Sequence, residues 1–209
     1  TSMTIDNTVL VLGGTGKTGR RVVERFTKRD VPVRVGSRSG TPPFDWENSS
    51  TWASVLQDVG AVYMTYQPDL GAPGAAEAVS AFAELAVASG VRRAVLLSGR
   101  NGGEAQRSEQ VFQDSGLEWT IVRAGWFDQN FSEGFLLGPV LGGEVALPVG
   151  DVPEPFIDAD DIADVVVAVL TEEGHAGQVY ELTGPRLLTF AEAVAEIAIA
   201  SGRDVRFVQ

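Results

Sequence analysis

The stretch Val9-Leu10-Val11-Leu12-Gly13-Gly14-Thr15-Gly16-Lys17-Thr18-Gly19 decides the fold. A short apolar run ending at a glycine pair reads as a buried strand. From Thr18 to Arg29 the apolar residues Val22, Val23 and Phe26 stand at helical spacing in an otherwise charged segment. Strand, glycine turn and helix follow one another directly, and that context gives the glycines meaning. Gly13 allows a tight turn, Gly16 lets a pyrophosphate come close without a Cβ, and Gly19 lets helix and strand pack tightly. The helix start offers free N–H groups and about half a positive charge to an anion. Gly16-Lys17-Thr18 stands only two residues after Gly13, so this is not a Walker loop, and ATP chemistry is not expected.

Moving outward, strands are predicted at 31–35, 61–66, 93–98, 119–122 and 179–182, with a last one at 205–208. Helices are predicted at 51–57, 73–89, 104–115, 160–170 and 190–201, the last opened by a capping-box pair, Thr189 and Glu192. This alternation implies an α/β, Rossmann-like, doubly wound parallel sheet, expected in the order 3-2-1-4-5-6 with an extra strand. The rhythm breaks from Gly125 to Pro155. The reading is one NAD(P)-binding domain over 1–209.

The end of the second strand selects the cofactor. An NAD site places an acid there, whereas an NADP site offers a base to the 2′-phosphate. Here the strand runs into Gly36-Ser37-Arg38-Ser39, with no acid, and Arg38 can grip a phosphate with two donors. NADP(H) is expected over NAD(H).

Composition narrows the field. The 209 residues include no cysteine, one histidine and two lysines, Lys17 and Lys28, with a net charge of −12. Thiol nucleophiles, disulfides and multi-histidine metal sites are therefore out. Direct nucleic-acid binding through a basic patch does not suit the acidic balance. No apolar run reaches the roughly 20 residues that cross a bilayer. Thr1–Asp6 has no basic segment or signal-peptide core, and Thr1-Ser2 reads as a remnant before Met3, so a cytoplasmic location is expected.

Several longer stretches carry a resemblance. Besides the glycine loop and Ser37-Arg38, they are Leu96-Leu97-Ser98-Gly99-Arg100 and Ser115-Gly116-Leu117-Glu118-Trp119-Thr120-Ile121-Val122-Arg123. Gly125-Trp126-Phe127-Asp128-Gln129-Asn130-Phe131, the run Phe156–Ala163 and Tyr180–Pro185 complete the set. Together they resemble NmrA-like proteins. These are atypical short-chain dehydrogenase/reductases that include NAD(P)H-dependent quinone and azo reductases and redox-sensing regulators. The resemblance implies a seven-stranded Rossmann sheet and a small, shortened C-terminal substrate lobe to which segments 126–157 and 184–209 contribute. It also implies that Gly13, Thr15, Gly16, Lys17, Thr18, Gly19, Ser37, Arg38, Tyr66, Gln67, Ser98 and Gly99 meet the cofactor. Trp126, Phe127 and Asn130 would meet a flat aromatic acceptor.

The chain departs from its resemblance at one chemical point. Its tyrosines are Tyr63, Tyr66 and Tyr180, and the residues four further on are Gln67, Leu70 and Gly184. No Tyr-x-x-x-Lys pair exists to protonate a carbonyl oxygen. Hydride transfer to a quinone- or azo-type acceptor remains open, because its proton can come from solvent. The alternative is a non-catalytic NADP(H) sensor acting through a regulatory protein partner or as a homo-oligomer. Asp158, Asp160 and Asp161 are expected to cap or line the first turn of the following helix rather than bind metal. His175 is expected at the surface.

Overall fold

The structure, a computed structural model, describes residues 7–100 and 102–209. The N-terminal stretch read for targeting signals lies outside the described residues. The first elements are β1 (Thr8–Leu12), α1 (Lys17–Lys28), β2 (Val33–Gly36), a short α2 (Trp52–Val55), β3 (Val59–Met64) and α3 (Ala75–Ala88). Next come β4 (Arg93–Gly99), α4 (Glu104–Gln113), β5 (Glu118–Ala124), α5 (Leu137–Gly142) and β6 (Glu144–Ala146). The chain then forms α6 (Ala159–Thr171), β7 (Gln178–Leu182), α7 (Phe190–Ser201) and β8 (Arg206–Val208).

The chain divides into two compact units. The first runs to Ala124 and resumes over Asp160–Glu181; the second comprises Gly125–Ala159 and Leu182–Gln209. The first unit is built on a six-stranded sheet in the order β2-β1-β3-β4-β5-β7, and β1 to β5 pair in parallel. Val9, Leu10, Val11 and Leu12 are fully buried, as a strand covered on both faces requires. On α1, Thr18, Val22 and Phe26 repeat every four residues and face inward. Its outer face carries Arg21 and Arg25, which pair with Asp160 and Asp164, also four apart, on α6.

The sheet corrects two expectations. It has six strands rather than seven, and the third strand, expected outside β2, lies on the other side of β1, between β1 and β4. The stretch after β2, expected as loop, contains Gly40, Pro42 and Pro43 and adds no strand outside β2, since proline cannot donate to a ladder. Instead it folds back through Phe44, whose ring lies 5.7 Å from Phe82 and 5.1 Å from Trp46. The terminal strand also lies elsewhere. β8 pairs in parallel with β6, a strand not foreseen in the irregular segment, to make a separate two-stranded sheet in the second unit.

The second unit packs around Phe190, the first residue of α7. Its ring sits 4.9 Å from Trp126, 5.1 Å from Phe156 and 6.1 Å from Phe131. The capping box at Thr189 and Glu192 forms as expected and fixes where α7 begins.

Candidate functional site

Parallel strands place their C-terminal ends on one edge of the sheet. The strand order reverses between β1 and β3, so the first unit has a crevice where the loops after these strands diverge. That edge gathers every cofactor candidate: the loop 13–16 and the start of α1, Ser37-Arg38 after β2, Tyr66-Gln67 after β3, and Ser98-Gly99 ending β4.

The glycine loop is built to leave donors free. Gly16 caps α1 with no side-chain hydrogen bond, and the first turn has no acid. The opening N–H groups therefore lack the usual intrahelical partners, and no carboxylate competes for them. Thr15 and Gly16 are exposed. Gly13 has a φ of +63°, in the left-handed region. A Cβ on Gly19 would stand 2.1 Å from the Gly13 carbonyl oxygen, an impossible contact. At Gly16 the nearest atom to such a Cβ would be 3.2 Å away. Gly19 is thus required by the protein itself, whereas Gly16 leaves a cradle on its outer side. These features fit a dinucleotide diphosphate.

Thr18 does not behave as the sequence suggests. It is 4 % exposed, and its hydroxyl shares a 2.9 Å hydrogen bond with the phenol of fully buried Tyr63. Its side chain faces the core, leaving its backbone N–H as its group for an anion. Burial, only partly offset by the Thr18 hydrogen bond, raises the Tyr63 pKa well beyond that of an ordinary phenol. Tyr63 holds its proton and has no route to a substrate.

Arg38 is exposed and makes no hydrogen bond or ion pair among the described residues. Ser37 lies beside it, its hydroxyl 3.4 Å from that of Ser39. Tyr66 is half-buried with its ring 5.1 Å from Trp46, while Gln67 is exposed. The Trp46 indole donates to the Thr65 carbonyl at 2.9 Å, tying the loop after β2 to the end of β3.

Ser98 is 5 % exposed, and its hydroxyl lacks a hydrogen-bond partner within 3.5 Å. It neither caps a turn nor is otherwise satisfied, which is costly for a buried hydroxyl. Glu109 of α4 is near enough for Ser98 to help keep it charged. Burial pushes the Glu109 carboxyl up, but the Arg123 hydrogen bonds, the Arg123 charge and the nearby Ser98 hydroxyl outweigh it, leaving the pKa low. Arg123 grips Glu109 with two donors, at 2.9 and 2.6 Å, and reaches Glu181 at 3.1 Å. Gly99, Arg100, Gln106, Arg123 and Glu181 line a polar cavity of about 280 Å³ beside this cluster. Sequence reading missed it because its members come from β4, the segment after it, α4, β5 and β7, with no shared motif.

The three acceptor candidates belong to the second unit, and all are half-buried. Trp126 packs edge-on against Phe190 and so is partly a core residue. Phe127 forms an isolated bridge with Ile157, and its carbonyl accepts from the Asn130 N–H at 3.0 Å.

Asp160 and Asp161 line the first turn of α6 as expected, and the Asp160 carboxylate also accepts from Arg21 and Arg25; Asp158 accepts from Gln129 at 2.8 Å. No group of three or more metal-ligating side chains occurs among the described residues. His175 is not freely exposed: its Nδ1 lies 2.8 Å from the Tyr180 hydroxyl, and its Nε2 is buried. No described helix is long and apolar enough to cross a membrane.

Comparison with known proteins agrees with this geometry. A family model described as NAD(P)H-binding matches residues 43–173. The NAD(P)H azoreductase of Xenophilus azovorans is 30 % identical over 223 residues, covering 96 % of this chain and 76 % of that protein. The Escherichia coli NADPH-dependent quinone oxidoreductase QOR2, solved with NADPH, superposes with a TM-score of 0.78 at 24 % identity. The match covers 96 % of this chain and 78 % of that one. A mutant NmrA superposes with a TM-score of 0.76 at 20 % identity, covering 97 % and 74 % of the two chains. With its phosphate loop, its sheet and these relatives in agreement, the chain belongs to the NAD(P)H-binding, NmrA-like family of atypical short-chain dehydrogenase/reductases.

Proposed function

We propose that the protein is an NADPH-dependent oxidoreductase that passes hydride to a quinone- or azo-type aromatic acceptor without a tyrosine–lysine acid. When bound, the nicotinamide supplies the hydride. The chain's own residues hold the cofactor. The α1 N-terminus and glycine loop take the diphosphate, Arg38 and Ser37 take the 2′-phosphate, and Tyr66 and Gln67 border the nucleoside. Ser98 and Gly99 are assigned to the nicotinamide end, where the unpartnered Ser98 hydroxyl has hydrogen-bonding capacity to offer. Trp126, Phe127 and Asn130 are assigned to the acceptor.

The observation that carries the reading is the fate of the tyrosines. Tyr63 is sealed against Thr18, Tyr180 is bonded to His175, and Tyr66 leans on Trp46. None is followed four residues on by a lysine, because both lysines precede every tyrosine in the chain. A complete dinucleotide loop without a paired proton donor suits acceptors that draw their proton from water. The azo and quinone activities of the two relatives point the same way. Likeness to NmrA, with the missing acid, favours a non-catalytic sensor as the second reading.

The test mixes NADPH with a panel of quinones and azo dyes and follows loss of nicotinamide absorbance. Turnover of an aromatic acceptor, faster with NADPH than with NADH, is expected. No turnover, together with different affinities for NADPH and NADP⁺, would replace the reductase with the sensor.

A further inference from the structure

On the reading that the glycine loop holds a dinucleotide, we propose that Tyr63 and Thr65 are positioning residues that fasten this loop at both ends. Residues two apart on an extended strand face the same side. Tyr63 lies near the end of β3, opposite Val11 of β1, and Thr65 follows β3 directly. Thr65 Oγ1 donates to the Leu12 carbonyl at 3.1 Å, the last residue before the loop. Tyr63 reaches the other end, where its hydroxyl meets Thr18 Oγ1 at 2.9 Å on the second residue of α1.

The segment between these two bonds has little else to hold it. The Gly13 and Gly14 N–H groups donate to the Gly36 carbonyl of β2, and the Gly16 N–H donates to the Gly13 carbonyl. The loop is therefore steadied by β2 through backbone and by β3 through two hydroxyls. Thr65 also fills the space beside Gly13, where a Cβ would stand 2.4 Å from its Oγ1. An anion site made of backbone N–H groups works only if those groups already converge. Any freedom left in the loop must be lost on binding and weakens it.

Tyr63 suits this task and no catalytic one. Its ring would pack equally well as phenylalanine, so the hydroxyl is what the Thr18 contact uses. The two hydroxyls satisfy each other where water does not reach, and removing either leaves the other buried and unpaired.

The experiment measures NADPH and NADH dissociation constants, saturated turnover and melting temperature for Tyr63→Phe, Thr18→Val, their double variant and Thr65→Val. Each single change should weaken both cofactors by about 3- to 10-fold, the scale of one net hydrogen bond. The two losses should match, because NADPH and NADH carry the same diphosphate, and saturated turnover of Tyr63→Phe and Thr65→Val should stay within about twofold. The Tyr63–Thr18 double variant should be no worse than the poorer single, since one bond is removed. Thr65→Val should instead multiply with Tyr63→Phe. Lower melting temperature with unchanged affinity would reduce Tyr63 to core packing, and a large fall in saturated turnover would make it a proton donor. Either result overturns the proposal while the dinucleotide reading stands. Failure of the unaltered protein to bind either cofactor would overturn both.

Discussion

The two units are held together by different means. In the first, a ladder of parallel strands fixes the elements, and the fully buried run Val9–Leu12 lies between β2 and β3. In the second, the strands are three residues each, and a cluster of rings gathers around Phe190. Trp126, Phe131 and Phe156 reach that ring from a segment more than thirty residues earlier in the chain, and Phe207 approaches from β8 at 6.3 Å. The backbone organises one unit, and a side chain organises the other. Mutational sensitivity should therefore concentrate at glycines in the first unit and at an aromatic residue in the second.

The largest effect is expected at Gly19. Gly19→Ala sets a Cβ against a backbone oxygen that cannot swing aside, so helix and loop must separate. The loss should be about 4 kcal/mol or more, in the range reserved for broken backbone packing. Gly16→Val is the informative partner. Its φ of −79° suits any residue, and the Gly13 oxygen 3.2 Å from its Cβ need give by only a few tenths of an ångström. Thermal melts should show Gly19→Ala unfolding far earlier, while Gly16→Val stays near the unaltered protein and loses NADPH binding in calorimetry. Similar melts for the two variants would break the contrast between a packing glycine and a binding glycine.

Phe190→Ala comes next, at about 3–5 kcal/mol for a buried aromatic ring. The expected signature is loss of near-ultraviolet aromatic dichroism with NADPH affinity preserved at temperatures where the first unit is folded. A cost below about 1 kcal/mol would mean that the ring cluster does not organise its unit.

This difference also explains what could be read from sequence. Alternating runs and breakers locate β1, α1, β4 and α7 because burial on a ladder imposes a period on neighbouring residues. The phosphate loop is legible for the same reason, as its glycines answer to backbone geometry. The third strand was expected on the wrong side of β1 because a local period shows that a strand exists and not which strand it pairs with, while Gly40, Pro42 and Pro43 rightly marked the stretch after β2 as loop. β6 was missed because Glu144–Ala146 is too short to show a period. The inward turn of Thr18 depends on Tyr63, forty-five residues away, and the Glu109–Arg123–Glu181 cluster joins three elements. Such contacts leave no local trace.

Arg38 offers a smaller effect that sharpens the first unit's role. It is exposed and unengaged, so replacing it disturbs no internal bond. Arg38→Ala should cost NADPH about 1.5–3 kcal/mol, the worth of a hydrogen bond to a charged group, or roughly 10- to 150-fold in affinity. NADH, which lacks the 2′-phosphate, should bind almost as before. Calorimetry with both cofactors checks this, and equal losses would make Arg38 a general support of the loop.

The smallest effects are expected at the remaining tyrosines. Tyr66 contributes its ring to the Trp46 contact, and Tyr66→Phe keeps the ring. Tyr180 gives its hydroxyl to His175, so Tyr180→Phe removes one half-buried hydrogen bond at the far end of the His175 turn. Neither change should alter acceptor turnover by more than about tenfold, the cost of one modest hydrogen bond. The comparison matters because a true proton donor would behave differently. Removing a positioned general acid typically costs about a hundredfold or more. A drop of that size in either variant, measured at saturating NADPH with a quinone acceptor, would show that the first unit supplies a proton as well as a binding surface. A proton from water would then no longer account for the reaction. Near-unchanged turnover in both variants would leave the first unit with cofactor binding alone, as the sealed Tyr63 and the two early lysines imply.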